Sequence, residues 1–255
     1  MGVREARIKQ DAAKDQGFRW RGGEVSRVEG FSDAVFGFAL TLLVVSLEVP
    51  KTFTALLTTL RGFVAFGICF ALLYLVWERH YTFFRRYGLV DGMTLAVNGV
   101  LLFVVLLYVY PLKFLFTMFI DSLMRIGANS PSAVGIAAHD IPLLFMIYGL
   151  GFAAIFGLFA LLHFHAWQQR EALELNTGEQ FITRASILRN LLMASIGLLS
   201  AGIACVIPLH LVGIAGYIYL LVSVVETLHG HLEGEGRRKP DPQPGDTSDH
   251  PPLTR

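Results

Sequence analysis

Arg27-Val28-Glu29-Gly30-Phe31-Ser32-Asp33-Ala34-Val35-Phe36-Gly37-Phe38-Ala39-Leu40-Thr41-Leu42-Leu43-Val44-Val45-Ser46-Leu47-Glu48-Val49-Pro50 reads as an apolar helix that opens on a charged cluster and carries a threonine near its middle. At 1.5 Å rise per residue, the stretch from Phe31 to Val49 crosses roughly 30 Å of hydrocarbon. Pro50 marks the exit, because proline removes a backbone donor and clashes with the preceding turn. This is a transmembrane helix with ionisable groups at its entrance.

The rest of the chain has the composition of a polytopic membrane protein. Of 255 residues, 54% are hydrophobic and only 16% charged, and the mean hydropathy is +0.54. Apolar runs of membrane length predict six spans at about 31–49, 57–77, 92–111, 140–163, 187–208 and 211–229. The expected fold class is therefore all-α. A connector from Leu112 to Asp140 separates spans three and four. Its Phe114–Ile120 portion either continues span three or lies in the interface, and Gly127–Ser132 reads as a loop from its turn residues. The Pro208-Leu209-His210 corner makes spans five and six a tight hairpin.

Charge sets the sidedness. Basic residues concentrate before the first span, between spans two and three (Arg79, Arg85, Arg86), between spans four and five (Arg170, Arg184, Arg189) and in the tail (Arg237, Arg238, Lys239, Arg255). Only Lys51, Arg61, Lys113 and Arg125 remain for the opposite side, which predicts that both termini are cytosolic. The expected organisation is a cytosolic segment at 1–25, a six-helix membrane domain at 26–232 and a disordered cytosolic tail at 233–255. No apolar cleavage region precedes residue 30, which argues against a removable signal peptide. The net charge of +1 gives no reason to expect a nucleic-acid partner. Cys69 and Cys205 both lie in apolar runs and read as small buried hydrophobes.

Ionisable groups at a span entrance need partners. Arg27 and Asp33 are six residues apart and do not share a helix face, so their partners are expected from other helices. Trp77 and His80 lie three apart at the end of span two, and Asn98 lies in the corresponding half of span three. A hydrogen-bonded knot of Arg27, Ser32, Asp33, Trp77, His80 and Asn98 would satisfy groups that lipid cannot. The competing reading is ordinary interfacial anchoring by Trp and Arg.

Arg27-x-x-x-Phe31-Ser32-Asp33, continuing through Ala34-Val35-Phe36 and Thr41-Leu42-Leu43-Val44, then Trp77-x-x-His80 and an Asn98-bearing span that ends at Pro111, resembles the transmembrane protein 175 family of potassium channels. The resemblance covers about residues 25 to 112. It implies a single-repeat, prokaryotic-type protomer of six helices in a bacterial cell membrane, assembled as a homotetramer with lipid around it and monovalent cations, potassium above all, as its cargo. It also implies a pore lined by the first helix of each subunit. Arg27, Phe31, Ser32, Asp33, Trp77, His80 and Asn98 would anchor that helix. Phe38, Leu42 and Val45 would form the hydrophobic constriction, and Thr41 the hydroxyl selectivity layer. Phe38 departs from the Ile or Leu usual at the constriction and is bulkier.

The residues themselves are compatible with this. Phe38, Thr41, Leu42 and Val45 recur at offsets of three, four and seven and so share one helical stripe. Rings of such residues can gate by dewetting, and threonine oxygens can replace part of an ion's water shell. The bland alternative is packing against neighbouring helices. No Thr-Val-Gly-Tyr-Gly filter occurs; Val212-Gly213-Ile214-Ala215-Gly216-Tyr217 lies inside an apolar span without the threonine.

Other function classes fit less well. His163 with His165, and His229 with His231, lie two apart, which sets their rings about 200° apart on a helix rather than on one metal-binding face. No nucleophile elbow, phosphate loop or paired intramembrane carboxylate points to an enzyme, and no cofactor is expected. The alternative to a channel is a proton- or cation-coupled secondary transporter using Asp33, His80 and Asn98. Spans one to three show neither the inverted repeats nor the broken helices common in transporters.

Overall fold

The computed structural model describes residues 18–45, 51–124, 137–207 and 218–238. Among them there are six α-helices and no strand: α1 (Arg27–Val45), α2 (Phe53–Tyr87), α3 (Gly92–Met124), α4 (Ile141–Gln168), α5 (Thr177–Val206) and α6 (Leu221–Arg238). Short 3-10 turns precede α4 at Ala138–Asp140 and α6 at Ile218–Leu220.

Four helices are long and apolar enough to cross a membrane, within Gly62–Tyr87, Gly92–Ile120, Ile141–Gln168 and Thr177–Val206. The described part of α1 begins with Arg27, Glu29 and Asp33, which dilutes its apolar character. The apolar part of α6, Ile218–Gly230, is shorter than a full span. The 127–132 loop, the 208–210 corner, the 212–217 stretch, the outer end of span one at 46–50, residues 1–17 and the tail from 239 lie outside the described residues.

The helix boundaries differ from the apolar runs where polar chemistry extends a helix. α3 does not stop at Pro111 but runs 33 residues to Met124. Proline there removes the N–H that Leu107 O would accept from, and on its other side the Tyr148 hydroxyl of α4 donates to Pro111 O, which ties α4 to this point of α3. α5 begins at Thr177, ten residues before the apolar run, because Asn176 and Glu179 form a capping box. The Asn176 side chain accepts from Glu179 N at 2.8 Å, and the Glu179 carboxylate accepts from Asn176 N at 3.0 Å. α2 ends at Gly88, whose φ of +61° closes the helix in the left-handed conformation that glycine takes without steric cost.

α4 and α5 form the tightest pair. A Cβ on Gly149 would meet Gly197 O at 2.5 Å, and a Cβ on Gly197 would meet Gly149 O at the same distance. Small residues let the two backbones touch, the usual route to close packing where lipid gives no hydrophobic drive between helices. α3 packs on α4, α1 on α2 and α3, and α6 on α5. The main core joins α1–α5 through Phe36, Leu43, Leu101, Phe159 and their neighbours, and Phe83, Phe84 and Tyr87 extend it to the end of α2.

Candidate functional site

The first turn of α1 is set by a capping box. Glu29 N donates to Ser26 Oγ at 3.2 Å, and Ser26 N donates to the Glu29 carboxylate at 2.7 Å. Helical register then divides α1 into two faces. Glu29, Ser32, Phe36, Ala39 and Leu43 are buried in the chain, so Arg27, Phe31, Ala34, Gly37, Phe38, Thr41 and Val44 fall on the exposed side. Phe38 is 68% exposed and Phe31 64%, comparable with Phe53 and Phe103 on other helices, so this face of α1 meets surroundings outside the chain.

On the buried face, three helices join through a chain of hydrogen bonds whose directions can be deduced. The Ser32 hydroxyl donates to Val28 O at 2.8 Å. Its oxygen is thereby left to accept from Asn98 Nδ2 on α3 at 3.0 Å. The Asn98 carbonyl oxygen then faces His80 Nε2 on α2 at 2.8 Å, and because that oxygen can only accept, His80 carries its hydrogen on Nε2. Ser32, His80 and Asn98 are all buried. Phe36 of α1 meets the His80 ring edge-on at 5.6 Å.

A second tie lies nearer the surface. Trp77 Nε1 donates to Asp33 Oδ1 at 2.7 Å, and the Trp77 ring stacks on Tyr81 at 5.7 Å. Of the anchor residues expected from sequence, the structure therefore brings together Ser32, Asn98 and His80 in one group, and Asp33 and Trp77 in another. Arg27 and Phe31 are exposed and stand outside both, because their helical positions point away from the buried face.

Of the residues expected to line a pore, Phe38 and Thr41 are on the exposed face. The Thr41 hydroxyl donates to Gly37 O at 2.9 Å, which commits its hydrogen to the helix and leaves the oxygen able to accept. Leu42 sits half-buried at the flank and shares the lining of a surface hollow with Phe103, Leu107 and Tyr110 of α3. The backbone of Val45 ends the described part of α1, and its side chain lies outside the described residues.

Two features at the basic end of the bundle were readable as capping patterns but not as contacts. Residues 18–25 pack against the bundle instead of extending as a free arm. Phe18 is buried against Tyr87 at 5.5 Å; Arg21 N and Gly22 N both donate to Arg85 O at 3.1 Å. Arg21 also forks onto the Glu179 carboxylate, with Nη2–Oε2 at 2.6 Å and Nη1–Oε1 at 3.1 Å. Each capping-box glutamate thus has an arginine beside it: Glu179 is held by Arg21, and Glu29 lies 3.8 Å from Arg85 Nε. The segment leading into α1 is tied to α2 and α5.

Of the histidines spaced two apart, His163 and His165 have hydrogen-bond partners that are not metal sites. His163 Nδ1 faces Phe159 O at 2.8 Å, and His165 Nε2 faces Asp91 Oδ2 at 2.8 Å. His229 is buried, and the His231 side chain lies outside the described residues. No group of His, Cys, Asp or Glu suited to a metal occurs among the described residues. Lys113 Nζ of α3 donates to Leu43 O at 2.8 Å, a further tie between α3 and α1.

Comparison with known proteins identifies relatives of the chain. Residues 27–108, which hold α1 and the polar anchor, match the family model described as endosomal/lysosomal potassium channel TMEM175. A potassium channel of Marivirga tractuosa is 39% identical over 229 residues, spanning 87% of this chain and 93% of that protein. A potassium channel of Chamaesiphon minutus is 30% identical over 122 residues, 45% of this chain and 60% of that one. The crystal structure of a variant of the potassium channel MtTMEM175, bound to a nanobody–MBP fusion protein, superposes with a TM-score of 0.77 at 38% identity over 86% of this chain and 97% of that chain. The chain is an integral membrane protein and belongs to the TMEM175 family of potassium channels.

Proposed function

We propose that this chain is one subunit of a homotetrameric channel that passes monovalent cations passively, with preference for potassium, through a pore lined by α1. The observation that carries the reading is the two-faced character of α1. One side is fastened by the buried Ser32–Asn98–His80 group, and the other presents Phe38 and Thr41 outward. A helix held from behind in this way can keep a ring of side chains at a set radius.

Four copies of α1 would stack a ring of Phe38 and a ring of Thr41 one turn apart, with Leu42 and Val45 continuing the apolar constriction. The threonine oxygens, their hydrogens committed to Gly37 O, offer lone pairs that replace part of the water around a dehydrated cation. The phenylalanine ring narrows the path and resists wetting, and Gly37 beside it leaves space for the ring to turn. The membrane is that of a bacterial cell, in keeping with the relatives' source organisms, all six helices span or line it, and both termini are cytosolic by the distribution of basic residues. No cofactor or nucleic acid enters this reading, and no step in it is enzymatic.

The test is ion flux in liposomes holding the purified full chain, under potassium or sodium gradients, with Thr41→Ala and Phe38→Ala beside the native protein. A channel lined by α1 gives fast flux that reverses at a potassium-weighted potential. Thr41→Ala lowers the potassium-to-sodium ratio and Phe38→Ala raises total flux. Slow, saturable flux coupled to a proton gradient and indifferent to both changes would establish a secondary transporter instead.

A further inference from the structure

The helices of one chain enclose a cavity of about 220 Å³ that takes no part in the polar anchor or the outward face of α1. Its walls are almost wholly apolar, formed by Leu73 on α2, Val105 on α3, Phe156 on α4, Met193 on α5 and Val222 on α6. Leu43 closes it from the buried side of α1, opposite Phe38 and Thr41, so the cavity lies behind that helix. An apolar cavity of about 150 Å³ already prefers benzene to water, because the walls offer water no hydrogen bonds. This one is larger and therefore suits hydrocarbon.

Arg79 and the exposed Leu75 of α2, and Glu226 and the half-buried Val222 of α6, all line the cavity, which places its accessible polar end between these two helices. α6 is packed on α5, and the slot towards α2 is bridged by the ion pair of Arg79 with Glu226. At the mouth Leu75 is exposed and Val222 half-buried, an arrangement that suits contact with lipid.

The polar end of the cavity has an incomplete donor set. Arg79 Nη2 pairs with Glu226, and the guanidinium lies over the Phe156 ring at 5.2 Å. Arg79 Nη1, however, is sealed from solvent and has no hydrogen-bond partner among the described residues. A buried donor of this kind is costly until an acceptor reaches it, and the fork of an arginine fits two oxygens of a phosphate. Glu226 is the more exposed partner, 37% against 17% for Arg79. Arg79 lies on the end of the bundle that also carries Arg85, Arg86 and Arg189, a charge distribution that attracts anionic headgroups.

We propose that the cavity holds one acyl chain of an anionic phospholipid, whose phosphate is bound by Arg79 at the mouth between α2 and α6. Arg79 and Cys69, which both line the cavity, are separated by about 15 Å along α2 at 1.5 Å per residue, a depth suited to a substantial part of an acyl chain.

The test uses the full chain reconstituted into vesicles of equal parts phosphatidylglycerol and phosphatidylcholine, re-extracted in mild detergent and weighed intact by native mass spectrometry. The native protein is expected to retain one phosphatidylglycerol per chain in preference to phosphatidylcholine. Val222→Trp, which obstructs the mouth, lowers retention at least tenfold, whereas Leu198→Trp on an exposed face elsewhere leaves it unchanged. Arg79→Gln equalises the two lipids, and Glu226→Gln raises retention of phosphatidylglycerol. Gel filtration and thermal melting identify any variant that fails to fold, and Leu72→Trp then replaces Val222→Trp. Equal retention of both lipids by the native chain, no retained lipid, or retention unchanged by Val222→Trp and Arg79→Gln overturns the proposal.

Discussion

Asn98 Nδ2 on α3 donates to the Ser32 hydroxyl oxygen of α1 across 3.0 Å, in a site from which water is excluded. The same amide accepts from His80 on α2, so one side chain holds three helices in register. Replacing Asn98 by Leu strands an acceptor on Ser32 and a donor on His80, at about 1–3 kcal/mol for each unsatisfied group. Asn98→Leu should therefore melt well below the native protein in detergent, while Trp77→Phe, which removes only the more exposed tie to Asp33, costs about 0.5–1.5 kcal/mol. Equal melting temperatures for the native chain and Asn98→Leu would refute the anchor.

The contact of Gly149 with Gly197 gives a prediction about volume alone. Any side chain at either position meets a backbone carbonyl at 2.5 Å, so α4 and α5 must separate. Overpacking of this kind typically costs about 1–3 kcal/mol. Gly149→Val should lower the melting temperature, whereas Gly157→Ala, where an added Cβ meets nothing within 4 Å, should not lower it.

Arg21 and Glu179 form an ion pair whose side chains are 11% and 1% exposed. Removing one member leaves an uncompensated buried charge, a loss of about 3–5 kcal/mol. Arg21→Ala is expected to free residues 18–25 from the bundle, which faster proteolysis ahead of α1 would report. Glu179→Gln also loses the charge but keeps a side-chain acceptor for the Asn176 cap, so it should be the milder change. Identical cleavage rates in the native chain and Arg21→Ala would show that the clasp is not held by this pair.

Asp91 precedes α3, outside the membrane-spanning part of the helix. Burial is the largest influence on its carboxyl and pushes its pKa up, but the hydroxyl of Thr94 at 2.6 Å and His165 at 2.8 Å together outweigh it and hold the group below the ordinary carboxylate value. A folded pKa depressed in this way contributes stability that is fully present above the unfolded value near pH 3.9 and is lost as pH falls through the folded one. Below about pH 4 the melting difference between the native chain and Asp91→Asn should shrink as the pH falls further. A difference that grows on acidification contradicts the assignment.

The membrane class, the helical content and the identity of α1 as the polar-entrance helix were determined by the sequence by itself. Hydrophobic run length and the composition of residues 27–50 are local properties, and the bilayer imposes its length requirement segment by segment. The capping boxes Ser26-x-x-Glu29 and Asn176-x-x-Glu179 are equally local, and reading them would have placed the start of α5 at Thr177. The expected meeting of Ser32 and Asp33 with Trp77, His80 and Asn98 came from the need of polar groups for partners and from the family resemblance.

Tertiary structure alone decided how those residues divide. Ser32, Asn98 and His80 form one buried chain of bonds, Asp33 and Trp77 a separate tie, and Arg27 and Phe31 stay outside, because the face of α1 that is buried depends on how α2 and α3 cross it. The carbonyl-to-glycine contact of α4 with α5, the docking of Phe18 on Tyr87 and of Arg21 on Glu179, and the cavity behind Leu43 have the same origin. Each depends on residues distant in sequence approaching within a few ångströms, and no pattern within a single helix encodes that distance.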